Sequence, residues 1–275
     1  MMKIYRIAVI GIFAVVTAVF GYTYIMNYIK TDTTYPVIYL EDEILEMSVN
    51  AEEKDFLKGV TATDGKDGDI SDQVIVESVS KFIKPGICKV TYAVCDSDNH
   101  VATAVRKVVY TDYVAPEYTL NKSLCYSVYE QVNLKAAISV KDCFDGDLGN
   151  SLIITSNDFA NATEGVFNID AVVTNSKGDT AGISLPLIVE NRSLSAPQIE
   201  LSEYLLRIEK GTVTDPAQFI VSAVDYNEED ITKDITIDTN LDVNREGTYL
   251  VHYYAVDDRG ERGHSVLIVI VGNEK

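Results

Sequence analysis

Two patterns of apolar residues divide the chain. Residues 7–29 carry no charged side chain, and about 20 apolar residues are enough for a helix to cross the hydrocarbon core of a bilayer. After residue 31 the apolar residues instead recur at every second position, as they do from Gly247 to Asp257. A period of two is typical of β-strands with one buried face. The chain is therefore predicted to be an apolar helix followed by an all-β region.

The apolar segment predicts a single-pass membrane anchor within residues 1–30. Lys3 and Arg6 precede it without a neighbouring acidic residue, so the positive-inside rule leaves the N-terminus in the cytoplasm. Residues from about 31 onward are then expected outside the cell membrane. The large side chains predicted to face lipid include Ile7, Phe13, Phe20 and Ile25.

A cleaved signal peptide is the alternative interpretation, since Val16-Thr17-Ala18 resembles a cleavage site. Cleavage there leaves a mature chain that begins with the apolar sequence VFGYTYIM. The segment is also longer than the short apolar core of a signal peptide. The sequence therefore favours an uncleaved anchor.

The region after residue 31 contains the same unit three times. Each copy begins with a short segment around a proline. A segment with acidic residues at its first, fourth and sixth positions follows, here called the acidic line (residues 64–69, 142–147 and 225–230), and then a strand that follows a glycine. The prolines are Pro36, Pro116 and Pro197, the acidic lines begin at Asp64, Asp142 and Asp225, and the glycines are Gly86, Gly165 and Gly247. The predicted domains are residues 1–30 as cytoplasmic stub and anchor, 31–112 as module 1, 113–192 as module 2, and 193–275 as module 3.

Each unit is predicted to be a small β-sandwich, because its short alternating strands are separated by Gly and Asp-Gly turns. The three landmarks resemble the tandem bacterial immunoglobulin-like repeats of Firmicute cell-surface proteins, which also occur at the C-terminus of some insecticidal crystal toxins. The second copy departs from the pattern, with Asn175 in place of the late aspartate and Asp170 inside the strand. The resemblance implies three tandem immunoglobulin-like β-sandwich modules and display at the cell surface. It transfers no active site, because a fold does not define a function.

The charge balance excludes one class of partner. The chain contains 42 acidic and 23 basic side chains, and its net charge is -19. Such a chain repels the phosphates of nucleic acids and of anionic membrane surfaces. No nucleic-acid partner is expected, and the membrane is reached through the N-terminal helix.

Carboxylates of the acidic lines are candidate ligands for calcium, which takes about six to eight oxygen atoms. Carboxylates in the turn that ends the glycine-led strand of each copy, here called the late turn, are candidates as well. The spacing is not that of an EF-hand, because Lys66 and Phe144 occupy the third loop position. The alternative is that each aspartate caps a turn while glycine supplies a positive φ. No other cofactor is expected. The candidate ligands are Asp64, Asp67, Asp69, Asp96, Asp98, Asp142, Asp145, Asp147, Asp225, Glu228, Asp230 and Asp257.

Common catalytic motifs are absent from the sequence, which has no G-x-S-x-G elbow, no H-E-x-x-H helix and no P-loop. His252 is predicted to be a half-exposed strand residue, and His100 and His264 to lie in or beside turns, none of them as a ligand. The chain is therefore predicted not to be an enzyme.

The four cysteines raise the question of disulfides, because the modules are expected outside the cell. Cys88 and Cys95 lie on one extended strand, too far apart to bond. A bond between Cys125 and Cys143 stays open.

The sequence thus predicts a non-catalytic, membrane-anchored surface protein whose modules form a rod. Its role is display, adhesion or binding of a glycan or protein partner, with module 3 as the favoured binder. An alternative is an architectural subunit of a cell-envelope complex, in which the small residues Gly11, Ala14 and Ala18 let the helix pack on a partner. A further alternative is a hydrolase accessory protein.

Overall fold

The computed structural model describes residues 2–30, 33–157 and 163–272. The chain forms two compact units, residues 1–111 and 112–275. The second unit contains both modules 2 and 3. The predicted boundary between residues 192 and 193 therefore stays a prediction, as does the one near residue 112.

The N-terminal helix α1 spans Met2–Lys30. Its stretch Tyr5–Met26 has a mean hydropathy of 2.0 and is not buried by protein. Length and composition suit a membrane span, and a signal sequence has the same two properties. The four side chains predicted to face lipid are all exposed, namely Ile7, Phe13, Phe20 and Ile25.

The strands of the first unit form two sheets. They are β1 (Val37–Leu40), β2 (Ile44–Met47), β3 (Val60–Asp64), β4 (Gly68–Asp69), β5 (Ile75–Val79), β6 (Ile87–Cys95) and β7 (Val101–Tyr110). One sheet has the order β1-β3-β4 and the other β2-β7-β6-β5. Strand β2 pairs parallel to β7, whereas the other pairs are antiparallel. Short 3₁₀ turns lie at Glu53–Leu57 and Ser71–Gln73.

The second unit repeats this arrangement twice. Module 2 has the sheets β11-β10-β8 and β12-β13-β14-β9, and module 3 has β15-β17 and β16-β20-β19-β18. The elements of module 2 are β8 (Glu117–Leu120), β9 (Cys125–Ser127), α2 (Leu134–Ala137), β10 (Ile138–Asp142), β11 (Gly146–Asp147), β12 (Ile153–Asn157), β13 (Gly165–Thr174) and β14 (Thr180–Glu190), with a 3₁₀ turn at Gly149–Ser151. Those of module 3 are β15 (Gln198–Leu201), β16 (Leu205–Ile208), β17 (Ile220–Val224), β18 (Thr236–Thr239), β19 (Gly247–Val256) and β20 (Arg262–Val271), with 3₁₀ turns at Pro216–Phe219 and Thr232–Asp234.

The four-stranded sheet therefore has the same topology in all three modules, whereas the smaller sheet has three strands in modules 1 and 2 and two in module 3. In each module the second strand pairs parallel to the last, as β2 does with β7, β9 with β14 and β16 with β20. The predicted all-β fold of tandem sandwiches after one apolar helix is confirmed. The alternation seen in the sequence corresponds to inward and outward faces of the long strands, since β6 buries Cys88, Val90, Tyr92 and Val94.

A buried tyrosine fills the core of modules 1 and 3. The hydroxyl of Tyr92 on β6 donates to the carbonyl of Phe56 at 2.6 Å. The equivalent Tyr253 on β19 donates to the carbonyl of Pro216 at 2.8 Å. Both rings are fully buried, and each hydroxyl satisfies a carbonyl in the 3₁₀ turn beside the core. A buried phenol requires such a partner.

Module 2 exchanges a large and a small residue across its core. The position equivalent to Tyr92 is Ala171 on β13, and the facing first strand β8 carries the large residue, Tyr118, where module 3 has Ile199. Tyr118 and Ala171 belong to one core cluster. The Tyr118 hydroxyl lies 2.8 Å from the carbonyl oxygen of Ala181, to which it donates. The core volume is thus kept while its large residue changes sheets.

Strand β20 is buried on both faces. Leu267, Val269 and Val271 pack into the core of module 3. Val266 and Ile268 point the other way and belong to the core cluster of module 2. This shared cluster explains why modules 2 and 3 form one compact unit.

The exchange in module 2 predicts a compensating pair of substitutions. We expect Ala171→Tyr to lower the free energy of unfolding by about 1–3 kcal/mol, because it overpacks the core against Tyr118. Tyr118→Ile, which mimics the residue of module 3, leaves a cavity and is also expected to destabilise the protein. Thermal melts of both single variants and of the double variant complete the test. The double variant should lose less stability than the sum of the two single losses, and a fully additive loss contradicts the exchange.

Candidate functional site

The first aspartate of each acidic line caps a turn. In module 1 the Oδ1 atom of Asp64 accepts hydrogen bonds from the backbone N–H groups of Lys66 at 2.8 Å and Asp67 at 3.0 Å. These backbone donors, that of Asp67 foremost, lower the pKa of the Asp64 carboxyl. The Oδ1 atom of Asp142 in module 2 accepts the same two bonds, from the residues two and three positions later. The repeated aspartate is therefore a repeated turn residue.

Module 3 builds the equivalent turn without glycine. The Oδ1 atom of Asp225 accepts from the backbone N–H groups two and four positions later. Between them, Glu228 takes a left-handed conformation with a φ of 64°. Asp96 and Asp257 cap the late turns of modules 1 and 3 with the same spacing.

The second aspartate of the line joins two neighbouring turns. The carboxylate of Asp67 accepts from the backbone N–H group of Ser97 at 2.7 Å and from its hydroxyl at 2.8 Å. In module 2 the carboxylate of Asp145 accepts from the backbone N–H group of Ser176 at 2.6 Å. The acidic line and the late turn are therefore neighbours in both modules.

The remaining candidates also have partners of their own. The third acidic residue of each line caps the 3₁₀ turn that follows, through a bond from the backbone two positions later. These residues are Asp69, Asp147 and Asp230. Asp98 in the late turn forms an ion pair with Lys66 of the acidic line.

Hydrogen-bond donors thus surround the candidate calcium ligands. The Oδ2 atom of Asp142 accepts from the Asn175 amide at 3.0 Å, and that of Asp257 from the Arg259 guanidinium at 2.7 Å. Calcium binding requires oxygen ligands in the positions that these N–H donors occupy. The geometry favours the turn-forming alternative, and calcium at the acidic lines stays a prediction.

A different group of side chains meets in the second unit. Cys125 begins β9, Glu190 ends β14, and His264 lies near the start of β20. The Nδ1 atom of His264 is 3.1 Å from the Cys125 Sγ atom and 3.0 Å from Oε2 of Glu190. The Sγ atom is 3.7 Å from Oε1 of Glu190. Among the described residues, these three side chains have ligand atoms within 4.8 Å of one another, which is close enough to share one metal ion.

Two further residues hold this group in place. Arg192 donates to the backbone carbonyl of His264 at 2.5 Å and to that of Cys125 at 3.3 Å. Its Nε atom lies 3.5 Å from Oε1 of Glu190. On the other side of the imidazole, the Nε2 atom of His264 is 2.9 Å from Nδ1 of His252. One arginine therefore connects the three strands that carry the group.

The electrostatics of the group follow from its burial. Burial raises the pKa of the Cys125 thiol, which is therefore protonated at neutral pH. Burial also disfavours the charged form of Glu190, but His264, Arg192 and the Cys125 thiol together outweigh this and lower the pKa of the carboxyl. Burial lowers the pKa of His252. At neutral pH Cys125 is therefore a thiol, Glu190 a carboxylate, and the neighbouring His252 a neutral imidazole.

The sequence-based prediction for His264 is wrong. It lies inside β20 with only 8% of its surface exposed, where a residue in or beside a turn was predicted. His252 is half-buried and lies within β19 as expected. The alternation of β20 places His264 on the same side as Val266 and Ile268, which face module 2. That face could not be identified from a single module, because its partner is 139 residues away in the chain at Cys125.

None of the four cysteines, which all lie within the described residues, forms a disulfide. Cys125 is buried in the group above, whereas Cys143 is exposed and its thiol donates to the carbonyl of Val114 at 3.3 Å. The disulfide that the sequence left open is therefore not formed. Cys88 is buried and Cys95 is exposed.

The repeated topology defines a protein of tandem immunoglobulin-like sandwiches. Residues 46–109 and 208–271 each match the family described as bacterial surface protein, Ig-like domain. These two segments lie in modules 1 and 3 and together make up 128 of the 275 residues. The resemblance found in the sequence is confirmed.

Two relatives of known sequence cover part of the chain. The pesticidal crystal protein Cry22Aa of Bacillus thuringiensis is 26% identical over 220 residues, which are 78% of this chain and 30% of that protein. An uncharacterized 81.3 kDa protein of Acholeplasma phage L2 is 28% identical over 136 residues, 48% of this chain and 18% of that protein. The chain thus spans less than a third of either relative.

Solved structures give weaker similarities. A Clostridium perfringens ZmpB fragment with the M60 catalytic domain and two CBM51 domains is 16% identical, covers 87% of this chain and 31% of its own, and has a TM-score of 0.25. Drosophila N-cadherin EC1-4 is 11% identical, with 88% and 76% coverage and a TM-score of 0.23. At these TM-scores the similarities carry no argument about function.

The turn geometry predicts what removal of one carboxylate does. We expect Asp142→Ala to lower the free energy of unfolding by about 1–3 kcal/mol, because backbone and amide donors lose a buried acceptor. The control Asp147→Ala removes an exposed cap and should cost less. Thermal melts of the full chain in detergent measure both losses.

The same melts test calcium. The turn-forming interpretation predicts an unchanged melting temperature of the unmodified chain in millimolar calcium and in chelator. A ligand that binds only the folded state raises the melting temperature. A rise with calcium but not with magnesium contradicts this interpretation and supports the calcium sites.

Proposed function

We propose that this bacterial surface protein is non-catalytic and membrane-anchored, and that its Ig-like modules are displayed outside the cell to bind a glycan or protein partner. The observation that carries the proposal is the combination of two family segments with one exposed apolar helix, Tyr5–Met26. A helix of this length satisfies its backbone bonds internally, and its uncovered apolar side chains are stabilised by lipid. The modules need no such cover, because their apolar faces meet within the sandwiches.

The charge distribution supports the orientation. Lys3, Arg6 and Lys30 are the charged residues of positions 1–30, which leaves 20 basic and 42 acidic side chains in the modules. Cationic residues before the span favour a cytoplasmic N-terminus. A strongly acidic exterior stays soluble and repels anionic polymers.

The shape of the surface supports binding rather than catalysis. A cavity of about 300 Å³ is lined by Leu45, Asn50 and Lys58 among others, and a smaller one of about 170 Å³ borders Cys125 and His264. Enzyme and small-molecule pockets usually range from about 300 to 1,000 Å³. The two volumes lie at or below the lower end of that range, which supports an extended partner, such as a polysaccharide chain or another protein, over an enclosed small substrate.

The exposed cysteines offer a direct test of topology. On intact cells that express the full chain, a membrane-impermeant maleimide should label Cys95 and Cys143, because both thiols are exposed. The matched control is the double variant Cys95→Ser/Cys143→Ser, which keeps the two buried cysteines and should lose the label. Adding Lys3→Cys to this control should give labelling only after the cells are permeabilised. Labelling of the unmodified chain only after permeabilisation contradicts the proposal.

A further inference from the structure

A thiol, an imidazole and a carboxylate converge where modules 2 and 3 share their core. We propose that Cys125, Glu190 and His264 bind one zinc ion, which joins the two modules. Cys125 and Glu190 come from the second and last strands of module 2, and His264 comes from the last strand of module 3. None of these residues belongs to the acidic lines, so the site is independent of the calcium question.

The distances between the ligand atoms are close to those around zinc. Zinc bonds of about 2.0 Å to oxygen and nitrogen and about 2.3 Å to sulfur place tetrahedral ligand atoms about 3.3–3.6 Å apart. The Nδ1 atom of His264 is 3.1 Å from Sγ of Cys125 and 3.0 Å from Oε2 of Glu190, whereas the Sγ atom is 3.7 Å from the other carboxylate oxygen, Oε1. With one ligand atom from each residue, all three atoms lie within 4.8 Å of one another. A rotation of the Glu190 carboxylate and small shifts of the other two side chains bring one oxygen, the sulfur and the nitrogen to the distances that zinc requires.

The chemistry of the three ligands selects zinc over calcium and magnesium. Thiolate and imidazole ligands suit zinc, whereas calcium and magnesium prefer carboxylate, carbonyl and water oxygen atoms. On binding, zinc replaces the proton of the Cys125 thiol, and that proton passes to solvent. The two negative ligands, Cys125 and Glu190, then balance the two positive charges of the ion.

The surrounding residues supply the support that metal sites require. A zinc-bound histidine usually donates its second ring N–H to a neighbouring acceptor. When Nδ1 of His264 binds the metal, its Nε2–H faces Nδ1 of His252, which is 2.9 Å away and can accept. Arg192 holds the backbone of both His264 and Cys125. His252 and Arg192 are therefore positioning residues.

A cavity beside the group leaves room for a fourth ligand. Its volume is about 170 Å³, and Cys125, His264, Tyr126 and Ser265 line it. Within the described part of the chain, the buried hydroxyls of Tyr126 and Ser265 have no hydrogen-bond partner. A water molecule fits in a far smaller space. A water molecule in this position would complete the four-coordinate tetrahedral geometry that zinc takes in structural sites.

The first experiment uses the full chain in detergent with Zn²⁺ and Co²⁺ as probes. We expect one zinc ion per chain after removal of free metal, and a melting temperature that is higher with zinc than with chelator. Cobalt should give a near-ultraviolet sulfur-to-metal charge-transfer band. Cys125→Ser should abolish that band, because the ligand sulfur is gone. The matched control Cys95→Ser/Cys143→Ser should keep the band and the stoichiometry.

Two further variants guard against loss of folding. Glu190→Gln is isosteric, and we expect it to lower zinc affinity while near-ultraviolet circular dichroism of the tyrosines is unchanged. His252→Phe leaves the three ligands in place and should weaken zinc binding about 10–100-fold, as expected for an outer partner of a ligand. The proposal is overturned if the unmodified chain binds no zinc, or if the cobalt band survives Cys125→Ser. It is also overturned if folded Glu190→Gln binds zinc as tightly as the unmodified chain.

Discussion

The second unit depends on one strand, β20, which has two buried faces. Its odd-numbered residues Leu267, Val269 and Val271 close the core of module 3, and its even-numbered residues Val266 and Ile268 extend the core of module 2. Because one strand serves two cores, a polar substitution on one face is buried in the core of module 3 and one on the other face in the core of module 2, and burying an unpaired polar group is costly. The backbone supports the packing as well, since the Val266 N–H donates to the hydroxyl of Ser123 in module 2 at 2.8 Å. The buried group of Cys125, Glu190 and His264 lies at the end of this shared surface.

Much of the fold could be predicted from the sequence because its signals are local. The alternation after Gly86 and Gly247 specifies a strand with one buried face, and Tyr92 and Tyr253 do lie on that face. The repeated aspartates report turns for the same reason, since Asp64 and Asp142 bond to the backbone only two and three positions away. Interactions between residues that are close in the chain produce short sequence patterns, which a single sequence is enough to reveal.

The candidate site could not be predicted, because it depends on packing between modules. Glu190 and His264 are 74 residues apart in the chain, and Cys125 and His264 are 139 residues apart. No spacing in the chain connects them. The sequence does place His264, Val266 and Ile268 at alternate positions, and therefore on one face of β20. This alternation points to a buried site only once that face is known to be buried. The exchange of Tyr118 and Ala171 could not be predicted for a related reason, since one residue is seen to compensate for the other only when both sheets are in place.

These features give the surface protein an uneven architecture. Turn caps and buried tyrosines stabilise each sandwich from within, whereas β20 couples modules 2 and 3. The binding role proposed above benefits from such coupling, because a pre-organised pair of modules loses less freedom when it meets a partner. The coupling also places the thiol, imidazole and carboxylate at a fixed distance from one another.

The coupling through β20 is tested most directly by native-state hydrogen exchange of the full chain in detergent, comparing the amides of β14 with those of β20. Strands that open together exchange with the same free energy of opening. The account predicts that Ile268→Ala lowers the protection of both strands, although the residue lies in module 3. Loss of protection in β20 alone, with β14 unchanged, would show that the two modules open independently and would contradict the account.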